Sequence, residues 1–283
     1  MTKPDTYQPL VTVYMPTYNR VELLQRAVES VLNQDYKNIE LIVVDDNSND
    51  GTHEYLFEMA NKDSRFKYFI NEKKSGACFS RNKAIFSAKG EFITGLDDDD
   101  YFHSDRIQVF VNEAIKNSEY AYFTTYNVKT SNSSFVKPSL LTIFKRNRIS
   151  KPYLLLRRNY IGNQIFVKTE YLRNSGGFDI NLKAWQDLEC WYNLLKNQNI
   201  EAVFIKKATQ TIDISHEHER ISTQKTKNII NSYEYFIKKH NLNYFERTIL
   251  ENQLIRYIPN EYNKPKKVLL FLLTGNRHLI NNL

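Results

Sequence analysis

Cysteine is scarce in this chain of 283 residues, where Cys78 and Cys190 are the only two and stand in unrelated contexts. That excludes a disulfide framework and a cysteine-based zinc site, and a reducing cytoplasm is the expected compartment. Residues 1–9 are polar and lack the apolar segment of a secretory leader. No apolar stretch reaches the ~18 residues of a spanning helix, so the chain is expected to be soluble or attached only peripherally. Glycine fingerprints are missing as well: Ser75-Gly76-Ala77-Cys78 is not G-x-G-x-x-G, and no G-x-x-x-x-G-K-[ST] loop occurs. Phosphates of a nucleotide would then have to be held by metal and by Arg or Lys. A calcium loop over residues 46–57 fails, because Ser48 and Phe57 are weak at its third and twelfth places although Gly51 fills the sixth. The formal net charge is +7, yet no nucleic-acid recognition motif accompanies it, so nucleic acid is not an expected partner.

What is present is aromatic and regular. With 19 Tyr and 17 Phe spread over all segments, the chain has the material for a packed fold rather than disorder. Its length fits one large α/β domain with appendages. Apolar periodicity predicts strands at residues 10–15, 39–44, 66–70 and 92–96. Helices are expected over 21–34, from about 52, and over 80–88. Strand and helix alternating at this spacing mean a doubly wound, mostly parallel sheet. Ligands of such sheets sit at the carboxyl ends of the strands. Three loops there carry suggestive chemistry: Pro16-Thr17-Tyr18-Asn19-Arg20, Asp45-Asp46-Asn47-Ser48, and Asp97-Asp98-Asp99-Asp100.

The last of these is the most informative. Four successive carboxylates at a strand end repel one another and raise each other's pKa, so the fold needs a compensating charge. A hard divalent ion, Mg²⁺ or Mn²⁺, held by oxygen ligands and shared with substrate phosphates would supply it. A solvated acidic turn that caps the next helix, expected near Ser104, is the alternative.

Five motifs stand in order: residues 11–20, residues 43–52, Ser80-Arg81-Asn82, residues 90–100, and Gly176-Gly177-Phe178-Asp179 with Trp185-Gln186-Asp187. Together they resemble the motif series of family 2 glycosyltransferases of the GT-A fold, over roughly residues 10–222. The resemblance implies that Pro16, Thr17 and Asn19 line the nucleotide-sugar site and that Asp46 accepts a hydrogen bond from the base. A carboxylate is acceptor-only, so it can read the N3–H of uracil, and guanine offers N–H donors too. Arg81 resembles the basic residue that meets base or diphosphate. In the family's Asp-x-Asp pattern, Asp97, Asp98 and Asp99 fill the places, with Asp98 near the ribose and Asp99 on the metal; four aspartates leave the register open by one. Asp187 matches the Asp of a Glu-Asp pair and is the candidate general base, but Gln186 replaces the preceding Glu. His216 or His218 is expected to complete the metal shell or touch the diphosphate. Arg220 could grip the diphosphate, Gly177 could let the backbone approach the sugar, and Trp185 could stack on it.

For each of these a structural alternative exists: a turn for Asp46 and Gly177, a helix-end charge for Asp187, an exposed cation for Arg81 and Arg220, and core packing for Trp185. The implied activity is inverting, metal-dependent transfer of a hexose or N-acetylhexosamine from a UDP-sugar to a sugar hydroxyl. The acceptor would be lipid-diphosphate-linked, in bacterial surface polysaccharide assembly. A sugar-1-phosphate nucleotidyltransferase and a non-catalytic nucleotide-sugar or glycan-binding module are the rivals. Residues 1–222 would form the catalytic domain, with a nucleotide-sugar half at 1–100 and an acceptor half at 101–222. Residues 223–283 would form a C-terminal helical extension, with helices over 228–239 and 245–257. There Lys264, Lys266 and Lys267 precede six apolar residues, as an interfacial anchor on the inner face of the cytoplasmic membrane would, or an amphipathic helix buried on its own domain.

Overall fold

Apolar runs too short for helices become the central strands. β1 (Val11–Thr17) and β2 (Ile39–Asp45) are buried along their whole length, as strands covered on both faces must be. A computed structural model of the chain describes residues 7–131, 135–136, 148–216, 226–255, 257–258, 268, 270 and 272. With β3 (Phe66–Ile70), β4 (Phe92–Gly95) and β8 (Val167–Lys168) the strands form a sheet of order β3-β2-β1-β4-β8. The first four strands are parallel and β8 is antiparallel to β4. A second sheet, β5-β9-β6-β7, is built from β5 (Tyr101–Phe102), β6 (Ala121–Lys129), β7 (Phe135–Val136) and β9 (Ala202–Asp213).

The period of two along each strand divides the core. Val11, Val13 and Met15 face a layer made with α1 (Val21–Leu32) and α4 (Arg106–Lys116). Tyr14, Ile42, Val44 and Ile93 face another layer, with α3 (Ala77–Ser87), α6 (Thr169–Asn174) and α7 (Gln186–Gln198). Trp191 on α7 is fully buried there, its ring edge-on to Phe178 at 5.5 Å and its Nε1 donating to the Gly162 carbonyl at 2.9 Å. It is a core residue, and Glu189, also fully buried, faces away from Asp187 to pair with Lys239 and His240 at 2.8 Å each.

Helix α2 (Thr52–Lys62) starts after Gly51, whose φ of 91° suits glycine. Helix α3 starts at Ala77, three residues before the position that periodicity marks, because Gly76 at φ 94° already turns the chain into it. The helix expected near Ser104 begins at Arg106, and Asp105 occupies its N-cap without a side-chain cap bond. Asp100 is therefore not the N-cap of this helix. It is buried and accepts from the backbone N–H of Asp213 at 3.1 Å and from Asn163 at 3.2 Å, joining β4 to the second sheet.

The two C-terminal helices, α8 (Thr226–His240) and α9 (Tyr244–Leu254), pack onto α7 and α5 (Tyr153–Arg157). An Asn243–Glu246 capping box starts α9. Ser232 accepts from the Ala184 N–H at 3.2 Å, and Gln253 donates to the carbonyls of Leu155 and Leu156 at 3.1 and 2.8 Å. These bonds fix α8 against the segment that enters α7 and α9 against α5. His218, Arg220, Lys264, Lys266 and Lys267 lie outside the described residues. Of the apolar run after the lysines, Leu270 is buried and Leu272 exposed. Among the described residues no helix is long and apolar enough to cross a membrane.

Candidate active site

Parallel register sets the floor of the site. Thr17 pairs with Asp45 and Tyr14 with Gly95, so the loops after β1, β2 and β4 emerge together at one edge of the sheet. A cleft of about 980 Å³ opens there. Pro16, Thr17, Asn19 and Asp46 line it from the first two loops, Asp97 to Asp100 from the third, and Arg81 from α3. Trp185, Gln186 and Asp187 close it from the start of α7. Of the fourteen residues singled out in the sequence, the structure thus brings ten into one cleft; His216 lies beside it on Asp99, Gly177 does not line it, and two are not described.

The aspartates divide their tasks. Asp98 is buried and accepts from Thr17 Oγ1 at 2.8 Å and Arg20 at 3.1 Å. Burial pushes its pKa up to about 7, with Arg20 opposing and the neighbouring Asp99 and Asp97 adding to the rise. Asp99 takes a second Arg20 bond at 3.2 Å, and its Oδ2 lies 3.4 Å from His216 Nε2. His216 reaches that position because β9 ends at Asp213, which Arg26 and Lys129 bind at 2.5 and 3.0 Å and which receives the Ser215 N–H at 2.9 Å. Burial opposes ionisation of Asp213, yet the bonds from Ser215, Lys129 and Arg26 hold its pKa far below the ordinary carboxylate range.

Asp97 receives Arg81 at 2.8 Å. The Arg81 guanidinium is buried, lies 5.1 Å from the Phe178 ring and donates its other arm to Gln186 Oε1 at 3.2 Å. A single cation therefore ties the acidic run to the helix that carries Asp187. Among the described residues the Asp187 carboxylate makes no hydrogen bond. Burial raises its pKa, Arg81 pulls it back and Asp97 adds to the rise, leaving it pushed up to about 7. Trp185, just before the helix, holds φ at 59°, a left-handed conformation costly for a large side chain. Its ring meets Tyr233 of α8 edge-on at 6.4 Å.

Asp46 accepts from the N–H groups of Ser75 and Gly76 at 2.7 Å each and from Asn71 at 3.0 Å. Three of its roughly four acceptor positions are thus taken, and about one remains. Asn19, at φ 49°, accepts from the Asn49 N–H at 2.8 Å while its own N–H binds Ser48 at 2.8 Å, which stitches the first loop to the second.

Gly177 departs from expectation. It does not line the cleft, and a Cβ there would lie 2.4 Å from Asn82 Oδ1. Asn82 uses that oxygen to accept the Phe178 N–H at 2.8 Å and donates to the Phe178 carbonyl at 2.7 Å. The glycine makes room for the asparagine. Gly177→Ala is expected to destabilise the fold by about 1–3 kcal/mol, from the clash and the φ of 68°; a urea midpoint equal to wild type would refute that packing role.

The profile of the family described as "Glycosyl transferase family 2" matches residues 12–173, more than half of the chain. The chain belongs to glycosyl transferase family 2. The enzyme is 35% identical over 246 residues to the putative colanic acid biosynthesis glycosyl transferase WcaA of Escherichia coli (strain K12), covering 87% of this chain and 86% of that protein. It is 34% identical over 197 residues to the UDP-Glc:alpha-D-GlcNAc-diphosphoundecaprenol beta-1,3-glucosyltransferase WfgD of Escherichia coli, covering 69% and 73%. Among solved structures, S. aureus TarS 1–349 in complex with UDP-GlcNAc matches at a TM-score of 0.72 and 20% identity, over 88% of this chain and 73% of that one. The mannosyltransferase PcManGT from Pyrobaculum calidifontis, in complex with GDP-Man and Mn²⁺, matches at 0.64 and 18%, over 95% and 74%. These likenesses establish the GT-A fold. A transferase of this family is an enzyme, so the binding-module and nucleotidyltransferase readings fall away.

Several residues of this glycosyltransferase's cleft take roles that their sequence neighbourhood does not reveal. Arg20 was visible beside Asn19, but nothing in its neighbourhood showed that it would span the cleft to Asp98 and Asp99. Asn163, which bonds Asp100 and accepts from Gln210 at 3.0 Å, stands in a loop without period. Gln186 looked only like a departure from the family pair, whereas it is the partner of Arg81.

Proposed function

We propose that this enzyme transfers a hexose or N-acetylhexosamine from a UDP-sugar, with inversion, to a hydroxyl of a lipid-diphosphate-linked sugar at the inner face of the cytoplasmic membrane. The observation that carries the reading is the meeting of the acidic run at the end of β4 with Asp187 at the start of α7 in one cleft, with Arg81 between them. In the reaction the acceptor oxygen forms a bond to the anomeric carbon as its proton passes to Asp187. The bond from that carbon to the diphosphate oxygen breaks, and its electron pair leaves with UDP. A single displacement of this kind turns an α-linked donor into a β-linked product.

Asp187 suits the base role because a carboxylate held near pKa 7 is basic enough to accept the proton yet largely ionised at slightly alkaline pH. It stands among the cleft residues and, among the described residues, has no hydrogen bond to release first. Asp46 keeps acceptor capacity for a base N–H, and Thr17 and Arg20 fix Asp98 in place.

The residues also fit a divalent cation. Two ligands side by side on an ion at ~2.1 Å lie about 3 Å apart, and Asp99 Oδ2 and His216 Nε2 are separated by 3.4 Å. Among the described residues no group of three such side chains converges; water and diphosphate oxygens, which Mg²⁺ and Mn²⁺ commonly recruit, would supply further ligands. PcManGT holds Mn²⁺ on the same fold. Bound there, the ion would stabilise charge developing on the departing diphosphate. The UDP donor and lipid-linked acceptor are supported by the names of WfgD and by the TarS complex.

Thermal denaturation with a panel of UDP- and GDP-sugars, each with and without Mn²⁺, tests the donor assignment. A UDP-sugar with Mn²⁺ at 100 times its Kd should stabilise the protein by about 2.7 kcal/mol. Stabilisation by GDP-sugars alone, or equal stabilisation without metal, would contradict it. The anomeric configuration of the product, read by NMR, should be opposite to that of the donor.

A further inference from the structure

Among the described residues four cations line the cleft: Arg20, Lys74, Arg81 and Arg158. Three are engaged by the protein. Arg20 binds Asp98 and Asp99, Arg81 binds Asp97 and Gln186, and Lys74 sits 3.8 Å from the centre of the Tyr18 ring. Arg158 is exposed and, among the described residues, has no hydrogen bond or ion pair.

Its backbone, in contrast, is pinned on both sides. Ahead of it, the carbonyls of Leu156 and Arg157 accept from Gln253 at 2.8 Å and Asn252 at 3.3 Å. Behind it, Asn159 and Gly162 exchange two bonds of 3.0 Å each, and Trp191 donates to Gly162 at 2.9 Å. A guanidinium carried on a rigid loop and left unpaired beside a cleft is built for an external anion, because its five donors form a ready fork for phosphate or carboxylate.

We propose that Arg158 binds the anomeric diphosphate of the acceptor. This rests on the proposed reading of the cleft as a glycosyl-transfer site. The charge distribution selects the position: Asp46, Asp97 to Asp100 and Asp187 would repel an anionic acceptor across most of the cleft, whereas Arg158 follows α5, on the wall shared with α7 and α9. Trp185 just before α7, Ile229 of α8 and Tyr257 just after α9 line the cleft and offer apolar surface to a sugar face or a hydrocarbon chain. The donor diphosphate has Arg20 and Arg81 at the carboxyl edge of the sheet. Among the described cations of the cleft, Arg158 is thus left for the second substrate.

Calorimetric titration of an alkyl N-acetylglucosaminyl diphosphate, and of the neutral alkyl N-acetylglucosaminide without the diphosphate, into wild type, Arg158→Ala and Arg158→Lys tests this without relying on turnover. A charge-assisted pair predicts a 10- to 100-fold weaker Kd for the diphosphate in Arg158→Ala, a change under about threefold for the neutral glycoside, and partial recovery in Arg158→Lys. Equal losses for both compounds, or none, would overturn the proposal. So would weakened UDP-sugar binding in Arg158→Ala, which would assign the residue to the donor. An alkyl glucuronide that depends on Arg158 while the diphosphate does not would transfer the role to an acidic sugar. Failure of the glycosyl-transfer reading would appear separately, as absence of product from wild type with any acceptor.

Discussion

Asp187→Asn is expected to lower kcat about 10²- to 10⁴-fold, the usual worth of a positioned general base. Asparagine keeps the shape of the side chain and cannot take the acceptor's proton. The pH dependence supplies the sign. Because burial and Asp97 hold the Asp187 pKa up near 7 against the pull of Arg81, the carboxylate is protonated and idle in acid and becomes a base as pH rises. The rate of wild type should therefore increase with pH through about 7 and level off above it. That ionisation should vanish from the residual rate of Asp187→Asn. A flat profile for wild type between pH 5 and 9 would mean that another group accepts the proton.

Arg81→Met has the second large effect, and it falls on stability as well as on rate. The guanidinium is 7% exposed and its partner Asp97 24% exposed, so the pair is screened less than a surface ion pair. Removing the cation leaves Asp97 and Asp187 without it and Gln186 without its donor. Loss of one partner of such a buried pair destabilises by about 3–5 kcal/mol, to be read from urea unfolding. Arg81 is also what holds the Asp187 pKa down, so the rising limb of the pH–rate profile should move to higher pH in this variant. A stable variant with an unmoved profile would show that Arg81 neither neutralises the cleft nor tunes the base.

The parts legible in the sequence are those governed by local pattern. Short apolar runs such as residues 39–44 read as inner strands, α1 shows its apolar stripe at Leu24, Ala27, Val28 and Val31, and the parallel order follows from alternation. Topology then gathers Thr17, Asp46 and Asp97 to Asp99 at one edge, whatever their side-chain partners. What could not be read depends on contacts between distant segments. Asp100 resembles a helix cap in sequence but bonds β9, 113 residues away. Gly177 looks like a ligand-facing turn but makes room for Asn82, 96 residues from the Phe178 backbone that it binds. Arg158 is one of many cations until the fold shows that the other three described cations of the cleft are occupied. The Gln186 departure acquired a meaning in the same way, since only the folded chain shows that Arg81 reaches it.

The central claim is that a nucleotide sugar held at the end of β4 faces a base delivered by α7 across one cleft. Titration of a UDP-sugar in the presence of Mn²⁺ into Asp187→Asn, beside wild type and with transfer measured on the same samples, tests it most directly. The account predicts a donor affinity within a few-fold of wild type together with loss of transfer. Donor affinity that collapses along with transfer, or transfer that persists, would contradict it.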